Sequence, residues 1–218
     1  YNLFLEDNLL AIPESLPVER IASLELAMCV QVSFDKLRIN DLVRHRRIAI
    51  SGLGPAGLVA AQMARAYGAR SVVGIEPDEG RRDILKDLGF SETYAPEDRK
   101  ISGLSRRSAG RFDASVDCTG QKDSIEYLMD RTSSAVSVFG VLREELVYGP
   151  AHWSGLSLIG YDSHNRGAAR RALELIEKGD LDLAPLITTS LPLGSYLLGI
   201  EMLQKKEAVK ILYLPWEE

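Results

Sequence analysis

Apolar residues recur three and four positions apart at Ile21, Leu24, Met28 and Val32, in a segment from 18 to about 37 that follows Pro17. That spacing lays them along one stripe of a 3.6-residue helix, and proline is tolerated at a helix start, so an amphipathic helix is predicted there. The period then changes. Residues 47–51 (RIAIS) form a short β-rich run, 52–57 are rich in glycine, and 58–67 are rich in alanine and methionine and stop at Gly68. A strand, a tight turn, a helix and a glycine C-cap account for these pieces in order. The alternation continues with strands at 71–76 and 92–95 around a helix at 79–88 closed by Gly89. A strand at 113–118, a helix at 122–131 and strands at 135–140 and 156–160 follow, then a helix at 166–178 stopped by Gly179, a helix at 196–204 and a closing strand at 209–214. Strands alternating with helices pair in parallel through crossover connections. The expected fold is α/β, a doubly wound parallel six-stranded sheet of the Rossmann type. Between its third and fourth strands, the basic stretch 100–111, with Arg106, Arg107 and Arg111, is expected to be a solvated loop or frayed helix.

Composition narrows the function classes. The 218 residues, 45% hydrophobic and 26% charged, suffice for a large buried core without disulfide or metal staples. No apolar run approaches the roughly 18 residues of a membrane span. A net charge of −5 gives no global attraction to a polyanion, so nucleic acid and membrane are not expected partners. Cys29 and Cys118 lie far apart without metal-ligand spacing, and no N-terminal signal pattern precedes them, so a reducing, cytoplasmic setting is expected.

One motif carries chemistry. Gly52-Leu53-Gly54-Pro55-Ala56-Gly57 fits G-x-G-x-x-G, follows a predicted strand and opens a predicted helix. Glu76, nineteen residues beyond Gly57, ends the next strand. The glycines differ in what they make possible. Gly52 permits the turn, Gly54 lets a pyrophosphate approach the backbone, and Gly57 lets the helix pack on the sheet. The helix N-terminus offers free N–H groups and a positive dipole end to the phosphates. Glu76 can accept hydrogen bonds from both ribose hydroxyls, and its charge repels a 2′-phosphate, which favours NAD over NADP. Arg81 tempers that preference, because a cation five residues after Glu76 could hold a 2′-phosphate if the acid swung away.

The chain resembles the coenzyme-binding part of the medium-chain dehydrogenase/reductase family, the zinc-type alcohol and polyol dehydrogenases. The likeness runs nearly end to end, through ASLEL, GLGPAGLVAAQMARAYGA, SVVGIEPDEGRRDILKDLGF, FDASVDCTG, SVFGV, LSLIGY and EAVKILYL. It implies that Gly52, Gly54, Pro55, Ala56 and Gly57 meet the pyrophosphate and that Glu76 meets the adenosine ribose, with Arg81 on the adenine side. Thr119 and Gly120 would lie near the ribose and pyrophosphate. Phe139, Gly140, Val141, Gly160 and Tyr161 would lie near the nicotinamide, and Lys210 matches a basic residue able to reach a phosphate. Glu25 matches a candidate zinc ligand, although Leu26 stands where proline is usual. By the resemblance, the family's other ligands, a cysteine and an adjacent His-Glu pair, would belong to an N-terminal domain that is expected to lie outside these 218 residues. Zinc is therefore expected only in an intact enzyme, and Glu25, unaccompanied, reads as a helix-surface carboxylate. His45, His152 and His164 read as turn or loop residues, and Cys29 and Cys118 as packing residues.

The resemblance divides the chain into a remnant of the catalytic domain at 1–17, which begins at Tyr1, a dinucleotide-binding domain at 18–186 and a segment at 187–218 returning toward the catalytic domain. It implies hydride transfer between an alcohol or polyol and a nicotinamide cofactor in the intact enzyme, without turnover by this chain alone. A homodimer joined through the sixth strand is also implied. The reading from a different class is a stand-alone dinucleotide-binding module, such as a redox sensor or an assembly subunit. A methyltransferase sharing the glycine turn is disfavoured by the likeness continuing through the second half.

Overall fold

A computed structural model describes residues 3–6 and 9–216. Six strands form one parallel sheet: β1 (Arg47–Ser51), β2 (Ser71–Ile75), β3 (Thr93–Tyr94), β4 (Phe112–Asp117), β5 (Thr132–Val138) and β6 (Ser157–Gly160). Their order is β3-β2-β1-β4-β5-β6, so the chain starts in the middle and winds out to each edge. β1 is therefore paired on both sides, with Ile48 opposite Val72 and Ala114.

Alternation along the strands feeds two cores. Ile48 and Ile50 of β1 join α2 (Leu24–Ile39), α3 (Pro55–Ala66) and α8 (Arg166–Lys178) in one cluster, through Phe34, Leu58, Met63 and Ile176. Ala49 faces the other way, with Ile101, Phe112, Ile125 and Leu128 from α5 (Arg99–Ser102), β4 and α6 (Lys122–Met129). Each fully buried Phe or Leu contributes roughly 1.5–3 kcal/mol by leaving water. Polar ties fix these layers. Arg171 of α8 meets Asp35 of α2 through two hydrogen bonds, at 3.0 and 2.5 Å, and Arg47 meets both carboxylate oxygens of Glu92 at 2.7 and 2.8 Å.

Three elements depart from the sequence expectation. The predicted helix at 18–37 is two helices, α1 (Val18–Ile21) and α2. Buried Ser23 leaves the helical conformation (φ −109°, ψ 18°), and its carbonyl takes the first bond of α2 from Ala27 N–H. The strand β5 starts at Thr132, three residues before the apolar run, because buried Thr132 pairs its hydroxyl with Ser115. Finally, β7 (Ile187–Pro192), which no apolar period in the sequence marks, pairs in parallel with the predicted closing strand, β8 (Lys210–Leu214). The connection between them is α9 (Tyr196–Gln204), whose flank and outer face leave Leu193, Tyr196, Leu197 and Leu198 at least half exposed.

The short α4 (Glu79–Asp87) follows β2, and α7 (Pro150–Trp153) precedes β6. Within the basic stretch, Arg106 is a staple and not a solvated charge. Its guanidinium donates to the carbonyls of Thr132 and Ser133 at 2.9 Å, to that of Ser154 at 3.1 Å, and to that of Ala151. Nearby His152 is buried: its Nδ1 accepts from Gly149 N–H at 3.1 Å, which leaves the Nε2 proton to meet Asp130 at 2.9 Å. Among the described residues no helix is long and apolar enough to cross a membrane.

Candidate functional site

The carboxyl ends of β1, β2, β4 and β5 open on one groove, and short-range backbone chemistry builds its floor. Gly52 takes a positive φ of 83°, and its N–H donates to Ile75 O at 2.9 Å. A Cβ on Gly57 would stand 1.8 Å from Gly52 O, so only glycine lets α3 seat this close to the turn. A Cβ on Gly54 would meet nothing within 4 Å, which leaves the space above it open to a ligand. Pro55 occupies the first turn of α3, and the helical ladder begins with Leu58 N–H to Gly54 O at 3.0 Å. The N–H groups of Ala56 and Gly57 precede that ladder, an arrangement that suits an anion.

Glu76 stands at the end of β2 with only 5% of its surface exposed. Its Oε2 accepts from Leu53 N–H at 2.8 Å and its Oε1 from Asp78 N–H at 3.1 Å, so the glycine turn and the acid are one hydrogen-bonded unit. Arg81 Nη1 lies 3.9 Å from the same Oε2. A second unit is centred on Asp117, fully buried at the end of β4. Its Oδ1 accepts from the hydroxyls of Thr119 at 2.7 Å and Ser124 at 3.0 Å, and its Oδ2 accepts from Gly120 N–H at 2.8 Å. Ser124 reaches on to Ser51 Oγ of β1 at 2.7 Å. Asp117, Ser124 and Ser51 were not among the residues that the sequence pattern singles out. An acid at a strand end, two residues before Thr-Gly, was the available signal for the first.

Two hollows form the groove. One, of about 620 Å³, is walled by Gly52, Gly54, Glu76, Arg81, Thr119, Tyr127 and Lys206. The other, of about 660 Å³, is walled by Glu25, Cys29, Gly120, Phe139, Gly140, Val141 and Tyr161. Cys118, Thr119 and Gln121 border both. At the divide, the turns after β4 and β5 touch: a Cβ on Gly140 would lie 2.0 Å from Gly120 N, and one on Gly120 would lie 2.4 Å from Val141 O. Phe139 and Tyr161 meet edge-on at 5.4 Å, and Lys36 holds the Gly160 carbonyl at 2.8 Å. The structure thus gathers Gly52, Gly54, Glu76, Arg81, Thr119, Gly120, Phe139, Gly140, Val141 and Tyr161 along one groove, with Gly160 beside Tyr161 in an adjoining hollow, while Pro55, Ala56 and Gly57 follow Gly54 in the first turn of α3. Lys210 sits elsewhere, in β8 opposite Ile187. The lysine on the groove wall is Lys206, held at φ 61° after α9, and no sequence pattern marks it.

Burial, with the neighbouring Asp117 charge, pushes the Cys118 thiol far above its ordinary value, so it stays protonated. Burial also pushes the Tyr161 phenol up to about 12.

Glu25 is not solitary. In the first turn of α2 it accepts a hydrogen bond from the Cys29 thiol at 3.2 Å, one helical turn on. With His164, from the loop after β6, the ligand atoms of these three residues lie within 4.8 Å of one another. Carboxylate oxygen, thiol sulfur and imidazole nitrogen are donors that suit zinc.

The chain belongs to the zinc-binding dehydrogenase family, whose sequence profile matches residues 55–178. Among curated relatives, it is 28% identical to L-idonate 5-dehydrogenase from Vitis vinifera, over 75% of this chain and 48% of that protein. It is 24% identical to L-threonine 3-dehydrogenase from Proteus mirabilis, over 96% of this chain and 62% of that protein. The chain thus spans about half to three-fifths of these relatives. An alcohol dehydrogenase structure from Thermotoga maritima superposes with a TM-score of 0.82 at 20% identity, over 94% of this chain and 59% of that one. A zinc-binding dehydrogenase structure from Sinorhizobium meliloti bound to NADP gives 0.80 at 22% identity, over 94% and 61%.

Proposed function

We propose that this chain is the coenzyme-binding portion of an NAD-dependent alcohol or polyol dehydrogenase. The observation that supports it best is the unit of glycine turn and buried Glu76, which offers free N–H groups at one point of a groove and a carboxylate at another. A dinucleotide carries a pyrophosphate that suits the first and a ribose diol that suits the second. In this reading the pyrophosphate lies over Gly54 at the N-terminus of α3. Glu76 would take the ribose hydroxyls, and Thr119, Gly120, Phe139, Val141 and Tyr161 would hold the nicotinamide half. When bound, the nicotinamide ring supplies hydride-accepting chemistry and a zinc ion supplies the charge that polarises an alcohol oxygen. The residues of this chain bind and orient: Asp117 holds the turn that separates the two halves of the groove, and Phe139 and Tyr161 supply aromatic walls at its far end.

The S. meliloti neighbour holds NADP; here the carboxylate of Glu76 occupies the end of β2 and disfavours a 2′-phosphate. The reading includes a homodimer through the edge strand β6 and a cytoplasmic setting. Calorimetric titration of the 218-residue chain tests the cofactor assignment. NADH is expected to bind at least about tenfold more tightly than NADPH, a difference of ~1.4 kcal/mol. No heat at millimolar NADH would remove the reading, and tighter NADPH would reverse the choice of cofactor.

A further inference from the structure

We infer that the chain carries a zinc site of its own, with Glu25, Cys29 and His164 as its three protein ligands. The site goes beyond the cofactor reading and uses no residue outside this chain. Glu25 and Cys29 are one turn apart on α2, and helical geometry places such a pair on the same face. Their ligand atoms are already 3.2 Å apart. Two ligands of a tetrahedral zinc stand about 3.3–3.6 Å apart, given bonds of about 2.0–2.3 Å. All three atoms lie within 4.8 Å of one another, so a rotamer adjustment of about 1 Å in the exposed His164 side chain completes the set.

Donor chemistry selects the metal. A thiolate, a neutral imidazole and a carboxylate suit zinc, whereas magnesium and calcium want oxygen donors. Two negative ligands neutralise the ion. In the metal-free protein the Cys29 thiol keeps its proton and donates it in a hydrogen bond to the Glu25 carboxylate; metal binding would release that proton to solvent as the sulfur–metal bond forms, so the charge balances. Tyr161 borders the same hollow as Cys29 and brings a phenol to that wall. The triad also lies between two hollows. Glu25 and Cys29 border the groove of about 660 Å³ that ends at Tyr161, and Glu25 and His164 border another of about 530 Å³ lined by Leu10, Leu24 and Met28. A fourth tetrahedral position therefore opens to water, the pattern of three protein ligands plus one exchangeable ligand.

Cobalt(II) substitution tests the site on the purified chain without any nucleotide, so its outcome is independent of cofactor binding. One Co²⁺ per chain is expected by equilibrium dialysis, displaced by zinc, with a near-ultraviolet thiolate-to-cobalt absorption band. Cys29→Ser should abolish the band, while His164→Ala and Glu25→Gln should each weaken binding at least about tenfold. Far-ultraviolet circular dichroism confirms that each variant is folded. Absence of stoichiometric Co²⁺ binding would overturn the site. So would a band that survives Cys29→Ser, or a His164→Ala or Glu25→Gln protein that binds as tightly as wild type.

Discussion

Gly54 and Gly57 are three residues apart and meet opposite surroundings. At Gly57 an added methyl would run into the carbonyl of Gly52, whose own N–H is tied to Ile75 O of β2. Gly57→Ala should therefore cost more than about 2 kcal/mol in a urea unfolding curve. At Gly54 the backbone is extended (φ −70°, ψ −172°) and the space is open, so Gly54→Ala should shift stability by less than about 0.5 kcal/mol. The same methyl would stand where a pyrophosphate must approach, and NADH affinity should fall at least about tenfold. Titration and unfolding of both variants separate the two roles; an unchanged NADH affinity in Gly54→Ala would show that the open space above Gly54 is not reserved for a ligand. Glu76→Gln keeps a carbonyl oxygen for Leu53 N–H but removes the charge. It should improve NADPH relative to NADH by about tenfold, ~1.4 kcal/mol, and an unchanged ratio in paired titrations would remove Glu76 from the selection. Both the glycine turn and Glu76 were legible in the sequence, because their roles are set by backbone conformation within a single strand–turn–helix unit. Lys206 and the grouping of Glu25, Cys29 and His164 were not. Those depend on segments more than a hundred residues apart being folded against each other, and no local period records that.

At the level of elements, periodicity identified six sheet strands and their crossover helices because each carries its own apolar stripe. It failed where an element's end is set by a residue off that stripe or by a neighbouring element. Ser23 breaks the first helix, Thr132 extends β5 through Ser115, and Ile187-Thr188-Thr189 becomes strand only because β8 lies beside it. Arg106 likewise takes its role from neighbouring elements: in sequence it is one cation of a basic run, and in the fold it binds carbonyls from β5 and α7 together. Arg106→Ala leaves those carbonyls to water and untethers the 103–111 loop. It should destabilise the chain by about 2–3 kcal/mol in chemical denaturation, since hydrogen bonds to charged groups contribute roughly 1.5–3 kcal/mol each and part of that is regained by solvation. A change under about 0.5 kcal/mol would return Arg106 to the class of solvated charges.

Across the whole molecule, the groove lies outside the carboxyl ends of a sheet wound outward from β1, the place where such sheets bind ligands. Its outer strand, β6, is short and half open, with Leu158 37% exposed. An unpaired edge of this kind invites a second strand. Light scattering at micromolar concentration should then report twice the 24.0 kDa chain mass, and a monomer mass would count against pairing through β6. At the far end of the chain, α9 presents Leu197 at 79% exposure and β8 runs out to Trp216 at 95%. A dye that brightens on apolar surface should find those side chains on the intact fold, while the near-ultraviolet bands of packed aromatics persist. Strong dye emission would here be a native signature, and a thermal screen that equates such emission with melting would count this protein as unfolded before heating began.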